Sequence, residues 1–144
     1  MDILTYDEIT ADTAQRVVSQ LADQPDASVT VRINSYGGDV MAAAAIYNSL
    51  KSHRGKVTIH IEGICASAAS LIAMAGRCVM AENALLMLHG PSVAIGGNAP
   101  ALRENAATLD KVAESMLAIY TAKTRRPAAE IRKLLADGQD HYFN

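Results

Sequence analysis

The apolar positions along the chain switch repeatedly between a helical and an alternating period. Ala14, Val17, Val18 and Leu21 recur at i, i+3, i+4 and i+7. That spacing predicts a helix from Thr10, a suitable N-cap, to Gln24, stopped by Pro25-Asp26. Val29-Thr30-Val31-Arg32-Ile33 alternates and is β-branched, as a strand does. Asn34 to Gly38 reads as a turn, and Asp39 to Ser52 as a second helix with Ala42 to Ala45 in its body, closed by His53-Arg54-Gly55. Val57 to Ile61 is the next strand, Gly63 to Ala66 a short turn, and Ser67 to Ala75 a helix of small residues ending at Gly76. Cys78 to Ala81 and Leu85 to Leu88 read as short strands, and His89 to Gly97 as a Gly/Pro loop. Pro100 to Lys123 is a long amphipathic helix, with Leu102, Ala106, Leu109, Val112, Ala113, Met116, Ile119 and Tyr120 along one side. Pro127 suits the first turn of a last helix running to Leu135, before a turn at Asp137 to Asp140.

After the initial helix the order is β-α-β-α-β-β-α-α. Strands alternating with helices predict an α/β fold built of βαβ repeats on a mostly parallel sheet. No internal repeat, linker or low-complexity tract interrupts residues 1–144, so a single domain is expected.

Composition narrows the function classes. Half the residues are hydrophobic, with 13 Lys+Arg against 15 Asp+Glu, which excludes a disordered chain and the basic surplus of a nucleic-acid binder. No apolar run reaches the roughly 18 residues of a membrane span. Met1-Asp2-Ile3-Leu4-Thr5-Tyr6-Asp7-Glu8 carries acids where an export signal carries Lys or Arg, so a cytoplasmic protein is expected. Cys65 and Cys78 form neither a disulfide framework nor a zinc-spaced cluster and read as two buried thiols. Aromatic residues are only 4%, whereas 26 residues are Ala, which lets helices lie close to a sheet.

Sites in α/β sheets gather at the carboxyl ends of strands. At one such end, Ile33-Asn34-Ser35-Tyr36-Gly37-Gly38-Asp39 carries a strand through adjacent glycines into a helix, which suits either a tight turn or close approach of another backbone. At a second, Glu62-Gly63-Ile64-Cys65-Ala66-Ser67-Ala68-Ala69-Ser70 places a serine where strand gives way to helix. Among such small neighbours a hydroxyl projects freely, and the following amide can donate to an oxyanion. Serine at a helix start is also a common N-cap, so position alone leaves both roles open. A nucleophilic serine needs a base. His53 and His60 are expected to face solvent, and His141 lies near the C-terminus. His89 directly follows a strand and opens the Gly/Pro loop.

Together these residues resemble the Clp protease proteolytic subunit (ClpP) family. Ile33-Asn34-Ser35-Tyr36-Gly37-Gly38 is similar to its INSPGG turn, Gly63-Ile64-Cys65-Ala66-Ser67-Ala68 to its GxxAS nucleophile segment, and Met87-Leu88-His89-Gly90-Pro91 to its M-I-H-x-P segment. The three occur in family order. The Ala-rich helices, Ala81-Glu82-Asn83-Ala84 and the Gly96-Gly97 loop look most like the phage-type branch, the head maturation (prohead) proteases. The resemblance implies a ClpP/crotonase-like fold with a long protruding helix. It implies a serine endopeptidase with Ser67 as nucleophile, His89 as general base and Asp140 as orienting acid, Asp137 being the rival three residues earlier. The backbone amides of Gly38 and Ala68 match the oxyanion donors. An extended peptide or protein substrate would lie along Gly37, Gly38, Gly90 and Pro91.

The resemblance also implies a homo-oligomeric ring, with the long helix a plausible interface. No cofactor, metal, nucleic acid or membrane is implied. The cellular branch works with an ATPase and the phage branch on a capsid protein, and no docking site for either is legible here. Two departures stand out. Tyr36 replaces the usual proline, and the family continues with a further helix beyond the aspartate, so a C-terminally truncated domain is expected, its activity in doubt. The competing readings are a ring-forming scaffold without catalysis and a Ser-Lys peptidase of the signal-peptide-peptidase type. The latter needs a lysine in the cleft, and none of Lys51, Lys56, Lys111, Lys123 or Lys133 follows a strand's carboxyl end.

Overall fold

In a computed structural model describing residues 1–144, the elements are β1 (Asp2–Thr5), α1 (Ala11–Asp23), β2 (Val29–Ser35), α2 (Val40–Ser52), β3 (Val57–Ala66), α3 (Ala68–Ala73), β4 (Arg77–Met80), β5 (Leu85–Leu88), α4 (Ala99–Thr124), α5 (Ala128–Ala136) and β6 (His141–Phe143). The sheet order is β1-β2-β3-β5-β6, with β4 also on β3. Every pairing is parallel except β5 with β6. This is the expected α/β architecture with a mostly parallel sheet. No helix is long and apolar enough to cross a membrane.

The chain divides into two compact units, Met1–Leu88 with His141–Asn144, and His89–Asp140. In the first, one sheet face is apolar because β-branched residues alternate. Val29, Val31 and Ile33 of β2 and Ile59 and Ile61 of β3 are buried together with Val17 and Leu21 of α1, Ile46 and Leu50 of α2, and Leu71 and Ile72 of α3. Ala42, Ala43, Ala68 and Ala69 are buried as well, which fits helices lying close to the strands. The alternate residues form a polar face, where Glu62 accepts from Tyr6 and pairs with Arg32, and Arg32 also reaches Asp2 at 3.3 Å. In the second unit, α4 and α5 pack together, joined by Arg132 and Glu114 through two contacts of 3.0 and 3.2 Å. Asn98 caps α4, and Arg125, at φ 57°, ends it.

Five expectations are corrected. β1 went unrecognised because its apolar alternation is broken: Thr5 points inward, its hydroxyl donating to the Arg32 carbonyl, while Leu4 points outward. β6 is only three residues long and takes its order from pairing with β5. Gly63 to Ala66 continues β3 rather than turning, because the Asn34 side chain accepts from the Ile64 amide at 3.1 Å and supports an irregular register there. His53 does not simply face solvent, since its Nε2 lies 2.8 Å from the Ala27 carbonyl oxygen, and Cys78 is half-buried rather than buried.

Candidate active site

The turn after β2 is shaped by what surrounds it. The buried Ser35 hydroxyl donates to the Asp7 carbonyl at 2.7 Å and accepts from the Gly37 amide at 3.1 Å. The Ile9 amide donates to the Gly37 carbonyl, and the Asp39 amide to the Ile9 carbonyl, each at 2.8 Å. These two bonds make a parallel bridge between Ile9 and Gly38. In a parallel bridge the residue spanned by the two bonds directs its own amide and carbonyl the other way. The Gly38 N–H is therefore aimed at the open edge. Both glycines are required. Gly37 lies at φ +106°, and a Cβ on it would sit 2.8 Å from the Ser67 Cβ and 3.0 Å from the Ala68 nitrogen. On Gly38, at φ +146°, a Cβ would sit 2.3 Å from the Ile9 carbonyl oxygen. Asp39 then caps α2 through the Ala42 amide at 2.9 Å.

The end of β3 is positioned in the same way. Ile33 pairs with Ile61 but Ser35 with Cys65, so two steps along β2 span four along β3. Asn34 fills this irregularity, and a Cβ on Gly63 would lie 2.4 Å from its Oδ1. Ser67 follows at φ 54°, ψ −127°, a conformation a non-glycine residue adopts only under constraint, at a cost of about 1–3 kcal/mol. Its amide donates to the Met87 carbonyl, and its carbonyl accepts from both the amide and the hydroxyl of Ser70. Its side chain makes no capping bond to α3, which speaks against the N-cap role. Ser67 is half-buried and Ala68 fully buried. Two residues earlier, burial pushes the Cys65 thiol far above its ordinary range, so it stays a neutral packing group.

In the second unit, His89 Nδ1 lies 3.0 Å from Asp140 Oδ1. Asp137 Oδ1 accepts from the Gln139 amide at 2.9 Å. Gly90 passes so close to α5 that a Cβ would lie 2.1 Å from the Leu135 carbonyl oxygen. Pro91 is half-buried. The structure thus brings Gly37, Gly38, Ser67 and Ala68 together in the first unit, and His89 with Asp140 in the second. No three His, Cys, Asp or Glu side chains converge as metal ligands would.

Sequence reasoning missed Ile9, Asn34 and Ser70. Ile9 and Asn34 act across about thirty residues of chain, which a single sequence does not register. Ser70 was visible, three residues after Ser67, yet read as one more small helical residue.

A family model described as Clp protease matches residues 1–144. The chain is 30% identical over 137 residues to the ATP-dependent Clp protease proteolytic subunit of Deinococcus radiodurans, covering 90% of this chain and 66% of that protein. It is 28% identical over 144 residues to the ATP-dependent Clp protease proteolytic subunit 2 of Bifidobacterium longum, covering 95% and 69%. The chain therefore spans about two thirds of the length of these curated relatives.

Proposed function

The chain belongs to the Clp protease family, and on that premise we propose that residues 1–144 act as one serine endopeptidase domain on extended peptide or protein substrates. Ser67 Oγ attacks the scissile carbonyl. His89, donating Nδ1–H to Asp140, keeps the lone pair of Nε2 to take the Ser67 proton and later deliver it to the leaving amine. The Gly38 and Ala68 amides receive the developing oxyanion. Water then resolves the acyl-enzyme by the same route in reverse. The substrate adds as a strand along Gly37 and Gly38, and Gly90 and Pro91 are further candidates to bind it.

One observation carries this reading. A non-glycine serine held at positive φ, against two glycines whose edge amide faces outward, is the geometry a nucleophile elbow needs and an ordinary helix cap does not. The resemblance of the motifs supports extending the proposal to a homo-oligomeric ring in the cytoplasm, and to a phage-type role on a capsid protein. The test is Ser67→Ala, with cleavage of a denatured protein as readout. Cleavage should fall by about 10³-fold or more, and unchanged cleavage would remove Ser67 from its role.

A further inference from the structure

Three polar side chains are buried: Thr5, Ser35 and Ser70. The first two tie strands and turns together. Ser70 does something different, because it grips the proposed nucleophile's own carbonyl twice. Its amide donates to the Ser67 oxygen at 3.0 Å and its hydroxyl to the same oxygen at 2.5 Å. A helical serine bonding back three residues is common, and that habit alone would assign nothing. What matters here is which peptide unit the bond holds. The Ser67 carbonyl and the Ala68 amide belong to one planar trans peptide, so they point in opposite directions and turn together. Fixing the carbonyl fixes the amide. That plane also starts from Ser67, whose unusual φ and ψ would relax if left unheld.

The geometry points to Ser70 as a positioning residue that aims the Ala68 amide at the oxyanion by holding the Ser67–Ala68 peptide plane through its hydroxyl. This rests on the reading of Ser67 and Ala68 given above. Ser70 touches no reacting atom. Removing its hydroxyl leaves the Ala68 donor in place on a plane held less firmly, by the Ser70 amide without the hydroxyl, so the loss should be smaller than the 10²–10³-fold or so that follows deletion of an oxyanion donor.

The experiment compares wild type with Ser70→Ala on the intact protein, using a fluorogenic peptide and a peptide aldehyde, whose hemiacetal places an oxyanion where the transition state does. Ser70→Ala should lower kcat about tenfold with KM within about twofold, and weaken the aldehyde by the same factor as kcat/KM. A merely structural serine would lower thermal stability and move neither quantity. Should the alanine variant not fold, Ser70→Cys keeps the volume, donates weakly, and should show a partial loss of the same form. An unchanged kcat and aldehyde affinity, or a rise in KM alone, overturns the proposal. Fluorophosphonate labelling of wild type is read first. Labelling at Ser67 with an indifferent Ser70 variant removes only the role of Ser70. A wild type that neither labels nor cleaves removes the serine reading, and the role of Ser70 with it.

Discussion

The Ser67 turn and the His89–Asp140 pair are held by opposite means. Around Ser67 backbone groups and buried hydroxyls make contacts: Met87 to its amide, Ser70 to its carbonyl, and Ile9 and Ser35 to Gly37, which abuts it. His89 and Asp140 meet side chain to side chain on irregular segments, with the Asp140 side chain 53% exposed. The first region stores its geometry in the fold, so disturbing it should cost stability and chemistry together. The second joins two part-exposed side chains by a hydrogen bond, so disturbing it should cost rate far more than stability.

The largest expected effect tests the second region. Asp140→Asn keeps the shape but no longer enforces the tautomer in which His89 carries its proton on Nδ1. Turnover should fall by about 10³-fold or more, with thermal midpoint essentially unchanged. Asp137→Asn, at a carboxylate that faces Gln139, should leave turnover within about threefold. Equal losses at both positions would break the assignment.

Gly37→Ala tests the first region. A Cβ would force Ser67 and the Ala66 carbonyl aside, so activity should fall by about 10²–10³-fold and the thermal midpoint should fall with it. Loss of rate without loss of stability would erase the contrast between the regions. Asn34→Ala is a milder form of the same disturbance. It strands the part-buried Ile64 amide and should cost about 1–3 kcal/mol in denaturant unfolding, with a smaller effect on rate.

The smallest effect lies away from both regions. Hydrogen bonds from Tyr6 and then Arg32 hold the Glu62 carboxyl below the usual carboxylate range. A group depressed in the fold stabilises it above its ordinary pKa, and that contribution is lost as pH falls through the lower folded value. Between pH 7 and pH 3 the wild-type midpoint should therefore fall slightly more than that of Glu62→Gln, followed by circular dichroism.

Much of this contrast was legible from the chain. Val29 to Ile33 alternates cleanly, the glycine pair announces a close approach, and Ser67 and His89 each follow a strand. What escaped was whatever depends on pairing across the sheet. Leu4 outside and Thr5 inside disguised β1, because an edge strand tolerates the reverse of the usual pattern when a hydroxyl finds a carbonyl. Gly63 resembled a break until Asn34 was seen to occupy the space a side chain would need. The contact of Asp140 with His89 was likewise beyond spacing alone, since Asp137 stands only three residues earlier.

Whether Ser67 is a nucleophile activated by His89 is read most directly by fluorophosphonate labelling followed by peptide mapping. A single adduct on Ser67, forming at least about 10²-fold more slowly in His89→Ala, is the predicted result. No adduct, an adduct on another serine, or equal rates in the two proteins would contradict it.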